Sequence, residues 1–430
     1  MLQLLTTVAN LARVLIPGSS LHCSGRSSVA AGGVRAFDFP GTSVHARILG
    51  SSVVSAIINE TGTNRYAVSV DGGHSWLDET VNTTVGRHEY TLCDGLPKNV
   101  PHDFVLLKLT EACSAALGCS WGDFGTCSLV ALQLDDGASA QPPQRMPWLV
   151  DDIDQPAASR RLQFIGDSIT AAWGARSDAS AVDDASCNRG EDARSGWALQ
   201  TARLLKAEAH VIAWGGVGLV LNDEACTRPE GAAAPELWKR SLANDPASEW
   251  DMASWVPHVV VIHLGTNDLC CGNEVSRLPH ARFEDAYVEF IQRVGGAYAR
   301  RAAGQGVGDA SSAAAAPLDV FLGCGPMGNS KGNRDHTGRE FYFPCSVIRR
   351  VASRVNAAAT SSSSSSSSTR TSSGRQAGAA AVRAHVLDFS GLMDDKACVG
   401  GCSHPSERCH ALMAETAAKE VTAALKWDSD

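Results

Sequence analysis

The stretch Leu162-Gln-Phe-Ile-Gly-Asp-Ser-Ile-Thr170 decides how the rest of the chain is read. A short apolar run, too brief for a helix, breaks at a glycine and an aspartate. It reads as a buried strand entering a tight turn. Open α/β sheets bind ligands outside the carboxyl ends of their strands, and this turn leaves Ser168 at such an end. A serine hydroxyl is a weak nucleophile until a base takes its proton. The base must come from elsewhere in the chain.

Toward the C-terminus the same texture repeats. Residues 198–209 read as a helix and 210–214 as the next strand; 259–264 form another buried strand. An amphipathic helix over 283–299, strands over 318–322 and 385–388, and a closing helix over 411–424 complete the series. Strands alternating with helices predict a mostly parallel α/β sheet covered on both faces. Toward the N-terminus the period changes to two. Residues 44–48, 66–70 and 104–109 alternate, with turn signals at 60–64 and 71–73, which predicts a β-sandwich of about 100 residues. The expected organisation is a possible signal or leader over 1–35, the sandwich over 36–135 and a proline-containing linker over 136–157. The α/β domain follows over 158–430. The serine run 361–368 marks a disordered insertion at about 357–380.

Of the 430 residues, 44% are hydrophobic and 19% charged, which describes a globular chain. A net charge of −9 with no basic run argues against nucleic-acid partners. Residues 1–17 are apolar but lack a basic start, and Arg13 interrupts them. No run reaches the 18 or so apolar residues of a membrane span. Fourteen cysteines and sequons at Asn59 and Asn82 favour an oxidising, secretory compartment. Cys113, Cys119 and Cys127, and later Cys398, Cys402 and Cys409, look like loop staples. Zinc would want paired Cys-x2-Cys knuckles, which are absent from the sequence.

Three more segments sit where strands end. Trp214-Gly-Gly-Val-Gly-Leu-Val-Leu-Asn222 lets backbone N–H groups approach a ligand but lacks the Lys-Ser/Thr of a phosphate loop. His263-Leu-Gly-Thr-Asn-Asp268 offers the Asn267 amide to a developing oxyanion; such a donor is worth on the order of 3 kcal/mol. Gly401-Cys-Ser-His-Pro-Ser406 places His404 in a loop, with Pro405 and Ser406 suited to a helix start. His410 falls within that helix and is the weaker candidate.

The order Ser, Gly, Asn, His at successive strand ends resembles the four sequence blocks of the SGNH/GDSL hydrolase superfamily over about residues 161–426. The approach Trp250-Asp-Met-Ala-Ser-Trp-Val-Pro257, the Gly-Thr-Asn-Asp block and the strand-rich N-terminal region resemble carbohydrate esterase family 2 (acetylxylan esterase type) more closely. The resemblance implies a flavodoxin-like three-layer α/β/α catalytic domain behind a small jelly-roll β-sandwich. It also implies removal of O-acetyl groups from polysaccharide of the xylan or mannan type, with acetylated polysaccharide or oligosaccharide as partner and no metal or organic cofactor. By motif, Ser168 is the nucleophile and His404 its base. The oxyanion hole comprises the N–H groups of Ser168 and Gly218 with Asn267, and Gly216 is the alternative to Gly218. Many superfamily members carry an aspartate three residues before the histidine. Here that position is Gly401, so the resemblance leaves a Ser–His dyad oriented by a backbone carbonyl, or an acid from Asp394, Asp395 or Asp388. Trp173 and Trp214 are candidate sugar platforms. Two other readings are an esterase or lipase for lipid or small esters, and a carbohydrate-binding wall protein that has lost catalysis.

Overall fold

The computed structural model describes residues 13–114, 119, 122–143, 160–223, 232–269, 278–302, 317–327, 345–364 and 382–427. Twelve short strands come first: β1 (Arg13–Pro17), β2 (His22–Ser24), β3 (Ser28–Ala30), β4 (Val34–Phe37), β5 (Ser43–Leu49) and β6 (Val54–Glu60), then β7 (Arg65–Ser69), β8 (Val81–Asn82), β9 (Gly86–Cys93), β10 (His102–Lys108), β11 (Cys127–Asp135) and β12 (Ser139–Gln141). They form two six-stranded antiparallel sheets. One runs β3-β4-β11-β6-β9 with β1 also on β11, and the other β12-β5-β10-β7-β8 with β2 also on β5. Alternate residues of each strand point inward, so Val44, Ala46 and Ile48 of β5 share one core with Ala56 and Ile58 of β6. Along β11 the inward set changes phase, from Cys127 and Leu129 to Leu132 and Leu134. A bulge between Leu129 and Ala131 is the reason: one extra residue moves every later side chain to the other face.

The sandwich is longer than expected at both ends. β1, β2 and β3 lie inside residues 13–35, read above as a possible leader, and pair with β11, β5 and β4. β12 lies inside the expected linker and pairs with β5. Edge strands of three to five residues carry too few alternations to stand out in sequence. Residues 1–12 and the stretch 144–159 lie outside the described residues.

The second half contains β13 (Arg161–Gly166), α1 (Ser168–Ala171), α2 (Asp184–Arg189), α3 (Trp197–Leu204), β14 (Glu208–Ala213) and α4 (Ala234–Leu237). Then come β15 (Val259–His263), α5 (Thr266–Leu269), α6 (His280–Ala302), β16 (Leu318–Cys324), α7 (Cys345–Ser364), β17 (Val382–Asp388) and α8 (Glu407–Leu425). The five strands are all parallel in the order β14-β13-β15-β16-β17. Leu162, Phe164 and Ile165 of β13 are fully buried, as a central strand covered on both faces requires. The order reverses at β13, so the loops leaving β14 and β15 part beside Ser168, the position at which open α/β sheets place their ligands. α3 ends at Leu204, short of the expected 209, because Lys206 adopts a left-handed φ of 49° and the next strand begins at Glu208. α7 continues through Ser364, so the expected insertion does not begin at 357: alanines 357–359 sustain the helix. Residues 365–381 lie outside the described residues.

Among the described residues three disulfides close loops, Cys113–Cys119, Cys187–Cys402 and Cys324–Cys345. The two staple sets expected from spacing hold only in part, since Cys127, Cys398 and Cys409 are buried thiols and Cys402 reaches a partner 215 residues away.

The two halves share apolar contacts, with Phe39, Ala112 and Phe124 of the sandwich packed into the core of the other half, and several buried side chains of the sandwich bond to main-chain groups across the seam. Asp38, fully buried, accepts the N–H groups of Ala243 and Asn244 at 2.9 Å each. Arg26, also buried, donates to the carbonyls of Trp238 and Arg240. Arg65 donates to those of Asn188, Arg189 and Glu191. Replacing Asp38 by alanine strands the buried Ala243 N–H. The expected cost is about 2 kcal/mol, measurable as a lower urea midpoint with an unchanged slope.

Candidate active site

Gly166 and Asp167 make the turn that presents Ser168. A Cβ at residue 166 would fall 2.1 Å from Thr170 Oγ1, so only glycine lets α1 fold back this closely. Asp167 caps α1, its Oδ1 accepting the Ile169 N–H at 3.0 Å. Burial pushes its carboxyl up to about 7. Ser168 is the first residue of α1, where an N–H has no intrahelical acceptor, and it is 8% exposed.

His404 arrives from the opposite end of the chain. After the short 3-10 turn Gly401–Ser403 it is extended, with its carbonyl accepting the Gly400 N–H at 2.7 Å. Its Nε2 lies 2.8 Å from Ser168 Oγ, and its Nδ1 lies 3.0 Å from the Cys402 carbonyl oxygen. A carbonyl can only accept, so Nδ1 carries the ring hydrogen and the Nε2 lone pair faces the serine. Cys402 is held in the left-handed region at φ 51° by its disulfide to Cys187 of α2 and by its N–H donating to Ala181. The Trp173 ring packs edge-on against the imidazole at 4.7 Å.

Of the two alternatives left open above, an orienting carbonyl or an orienting acid, the geometry has the carbonyl. The place a carboxylate would take at Nδ1 is held by the Cys402 carbonyl. Asp394 and Asp395 are exposed; Asp395 spends its carboxylate on the Ala397 N–H and on Arg408. Asp388 is engaged with Ser390 and Arg349. His410 is a core residue whose Nδ1 accepts the Trp197 N–H, and burial pushes its imidazole down to about 3.

The loop after β14 lies beside the pair. Gly216 has a left-handed φ of 69°, and its N–H finds no acceptor among the described residues. The Gly218 N–H, the expected oxyanion donor, is instead used inside the loop, on Asn222 Oδ1 at 3.1 Å. The reason is local: the chain turns so tightly there that a Cβ at residue 218 would lie 1.8 Å from the Leu221 carbonyl. Asn267 donates its amide to the Val217 carbonyl at 2.7 Å, so it borders the same loop. Asp268 accepts three consecutive N–H groups, from Leu219, Val220 and Leu221, at 2.7, 2.7 and 2.9 Å. Its carboxyl is nevertheless pushed up to about 6, burial outweighing those bonds.

Trp173 and Trp214 are buried at 8% and 1% exposure and present no ring face for a sugar. Trp173 buttresses His404 instead, with its indole N–H on Asn188. Sequence reading also missed the roles of Asp268 and Cys187. Asp268 stands next to Asn267 in the quoted block and could have been singled out, whereas Cys187 carries no local signal. Among the described residues, the one grouping at metal-ligand spacing is Cys324, Cys345 and Asp388, and its two sulfurs are joined to each other.

Residues 23–119 match the family model for the carbohydrate esterase 2 N-terminal domain, and residues 162–417 match GDSL-like lipase/acylhydrolase. The chain is 31% identical over 256 residues to cellulase/esterase CelE of Acetivibrio thermocellus, covering 59% of this chain and 27% of that one. It is 23% identical over 277 residues to an acetylxylan esterase / glucomannan deacetylase of Cellvibrio japonicus, covering 63% and 66%. It therefore spans about a quarter of the first relative and 66% of the second. In fold it is similar to a family two carbohydrate esterase from Clostridium thermocellum solved with cellohexaose, with a TM-score of 0.67, 23% identity, and 95% and 100% of the two chains covered. The GDSL match extends over more than half the chain, and the protein belongs to the GDSL-like lipase/acylhydrolase family, with an N-terminal domain of the carbohydrate esterase 2 type.

Proposed function

We propose that this protein is a serine esterase that removes O-acetyl groups from polysaccharide of the xylan or glucomannan type. The observation that carries the reading is the 2.8 Å contact between Ser168 Oγ and His404 Nε2, on a ring whose Nδ1 faces the Cys402 carbonyl. Ser168 attacks the acetyl carbonyl as His404 Nε2 takes its proton. The oxyanion is received by the N–H groups of Ser168 and Gly216, with the Asn267 amide beside them. Gly216 takes this role because the Gly218 N–H is spent on Asn222. His404 then protonates the departing sugar oxygen, leaving an acetyl-serine. Water attacks it, His404 takes the water proton and passes it to Ser168 Oγ, and acetate leaves. Orientation of His404 by a carbonyl makes the machinery a dyad.

The sugar substrate is supported by the carbohydrate esterase 2 match and by the names of the relatives, not by aromatic platforms. On this reading the sandwich is a jelly roll and the catalytic half a flavodoxin-like three-layer domain. The three disulfides and the exposed Asn59 and Asn82 of the two sequons support secretion, and none of the helices described is long and apolar enough to cross a membrane.

Acetate release from acetylated xylan tests the reading. Ser168→Ala and His404→Ala are each expected to lower kcat by at least about 10³-fold, and an active Ser168→Ala protein overturns it. Wild type that binds the polysaccharide but releases nothing would make it a binding module, and octanoyl esters cleaved faster than acetyl esters would make it a lipase. Opening the Cys187–Cys402 bridge, by Cys187→Ser, frees the carbonyl that orients His404. The expected result is a kcat lowered about tenfold or more with KM little changed, since misplacing a catalytic group by about 1 Å can cost 10²-fold.

A further inference from the structure

The glycine loop after β14 is tied down at several points, and one tie comes from the other half of the molecule. Glu111 follows β10 of the sandwich and is fully buried. Its carboxylate accepts the N–H of Gly215. A Cβ at residue 215 would lie 2.9 and 3.0 Å from the two carboxylate oxygens, so glycine at this position is what lets the carboxylate rest on the backbone. Glu111 is itself fixed through its main chain: its N–H donates to Glu191 Oε1 at 2.7 Å, and its carbonyl accepts from the buried Lys108 Nζ at 2.8 Å. Asp268 secures the far end of the loop, at residues 219–221. Glu111 secures the near end, one residue before Gly216. Burying a carboxylate is costly unless its oxygens are used, and this one is aimed at the segment that carries the proposed oxyanion donor.

We infer that Glu111 is a positioning residue for the reaction, through which the sandwich sets the loop that presents the Gly216 N–H to the oxyanion. The inference rests on the esterase reading above. On it, the N-terminal domain takes part in turnover and is more than an attached binding unit.

The test compares wild type, E111A, E111Q, G215A and the E111A/G215A double variant. For each, kcat and KM are measured on an acetyl ester, and Ser168 labelling is followed with a phosphonofluoridate probe. E111A is expected to lower kcat on the order of 10²-fold with KM within about twofold, and E111Q, which keeps an acceptor oxygen, to recover most of the loss. The φ at Gly215 lies outside the left-handed region, so alanine there strains nothing except its contact with Glu111. G215A should therefore lower kcat alone and cost markedly less in the E111A background, a non-additivity that a general loss of stability would not produce. Unchanged kcat in E111A, or an equal cost of G215A with and without Glu111, overturns the inference. If E111A fails to fold, a G215A protein with wild-type kcat overturns it equally. Wild type that neither labels nor releases acetate sinks the esterase reading itself, a result distinct from active wild type with an indifferent Glu111.

Discussion

A carbonyl oxygen can accept a hydrogen bond but never donate one, and the carbonyl of Cys402 therefore dictates which nitrogen of His404 carries its hydrogen. The orientation of the ring, and the lone pair it turns toward Ser168, follow from that one contact. The contact depends in turn on the loop that holds the carbonyl. Cys402 is kept in a left-handed conformation that a non-glycine residue adopts only at a cost, and the disulfide to α2, the Cys402 N–H on Ala181 and the edge of Trp173 against the imidazole hold it there. A carboxylate in this place would add charge to the pair. A carbonyl fixes the tautomer without it.

A second feature recurs at the seam and around the loop after β14: several buried or half-buried charges are settled on backbone groups. Asp38, Glu111 and Asp268 accept main-chain N–H groups, and Arg26 and Arg65 donate to main-chain carbonyls. Contacts to backbone depend on where the chain goes rather than on which side chain a neighbour bears. The seam between the two halves is thereby joined to the path of the catalytic-side loops, and the loop after β14 is held at one end by the sandwich and at the other by the turn after β15.

Much of this was legible in the sequence. The strands β5, β10, β13 and β15 and the helices α6 and α8 fall where the sequence pattern placed them, because each buries a full face or stripe of apolar residues. Ser168, His404 and Asn267 were readable because each stands at a strand or helix boundary marked by its own turn residues. The edge strands β1, β2, β3 and β12 were not, being too short to show a period, and they had been taken for a leader and a linker. The phase change in β11 was equally hidden, since a bulge obeys the partner strand and not the local pattern. Trp173 and Trp214 could be placed near the site by their positions, but whether an indole faces solvent or core depends on what packs over it.

The sequence by itself determined the two-part architecture, the parallel sheet and the residues standing at its carboxyl edge, because those follow from apolar period and turn chemistry, which act over a few residues. Only the tertiary structure decided that a carbonyl rather than an aspartate meets His404, that the Gly218 N–H is used on Asn222 while that of Gly216 has no acceptor among the described residues, that Cys402 bonds to Cys187, and that Glu111 crosses from one half to the other. The disulfide and the Glu111 contact are choices among thiols and acceptors of the same kind, made by distances between segments 215 and 104 positions apart, and the two short-range contacts depend on loop conformations; no apolar period or turn signal encodes either.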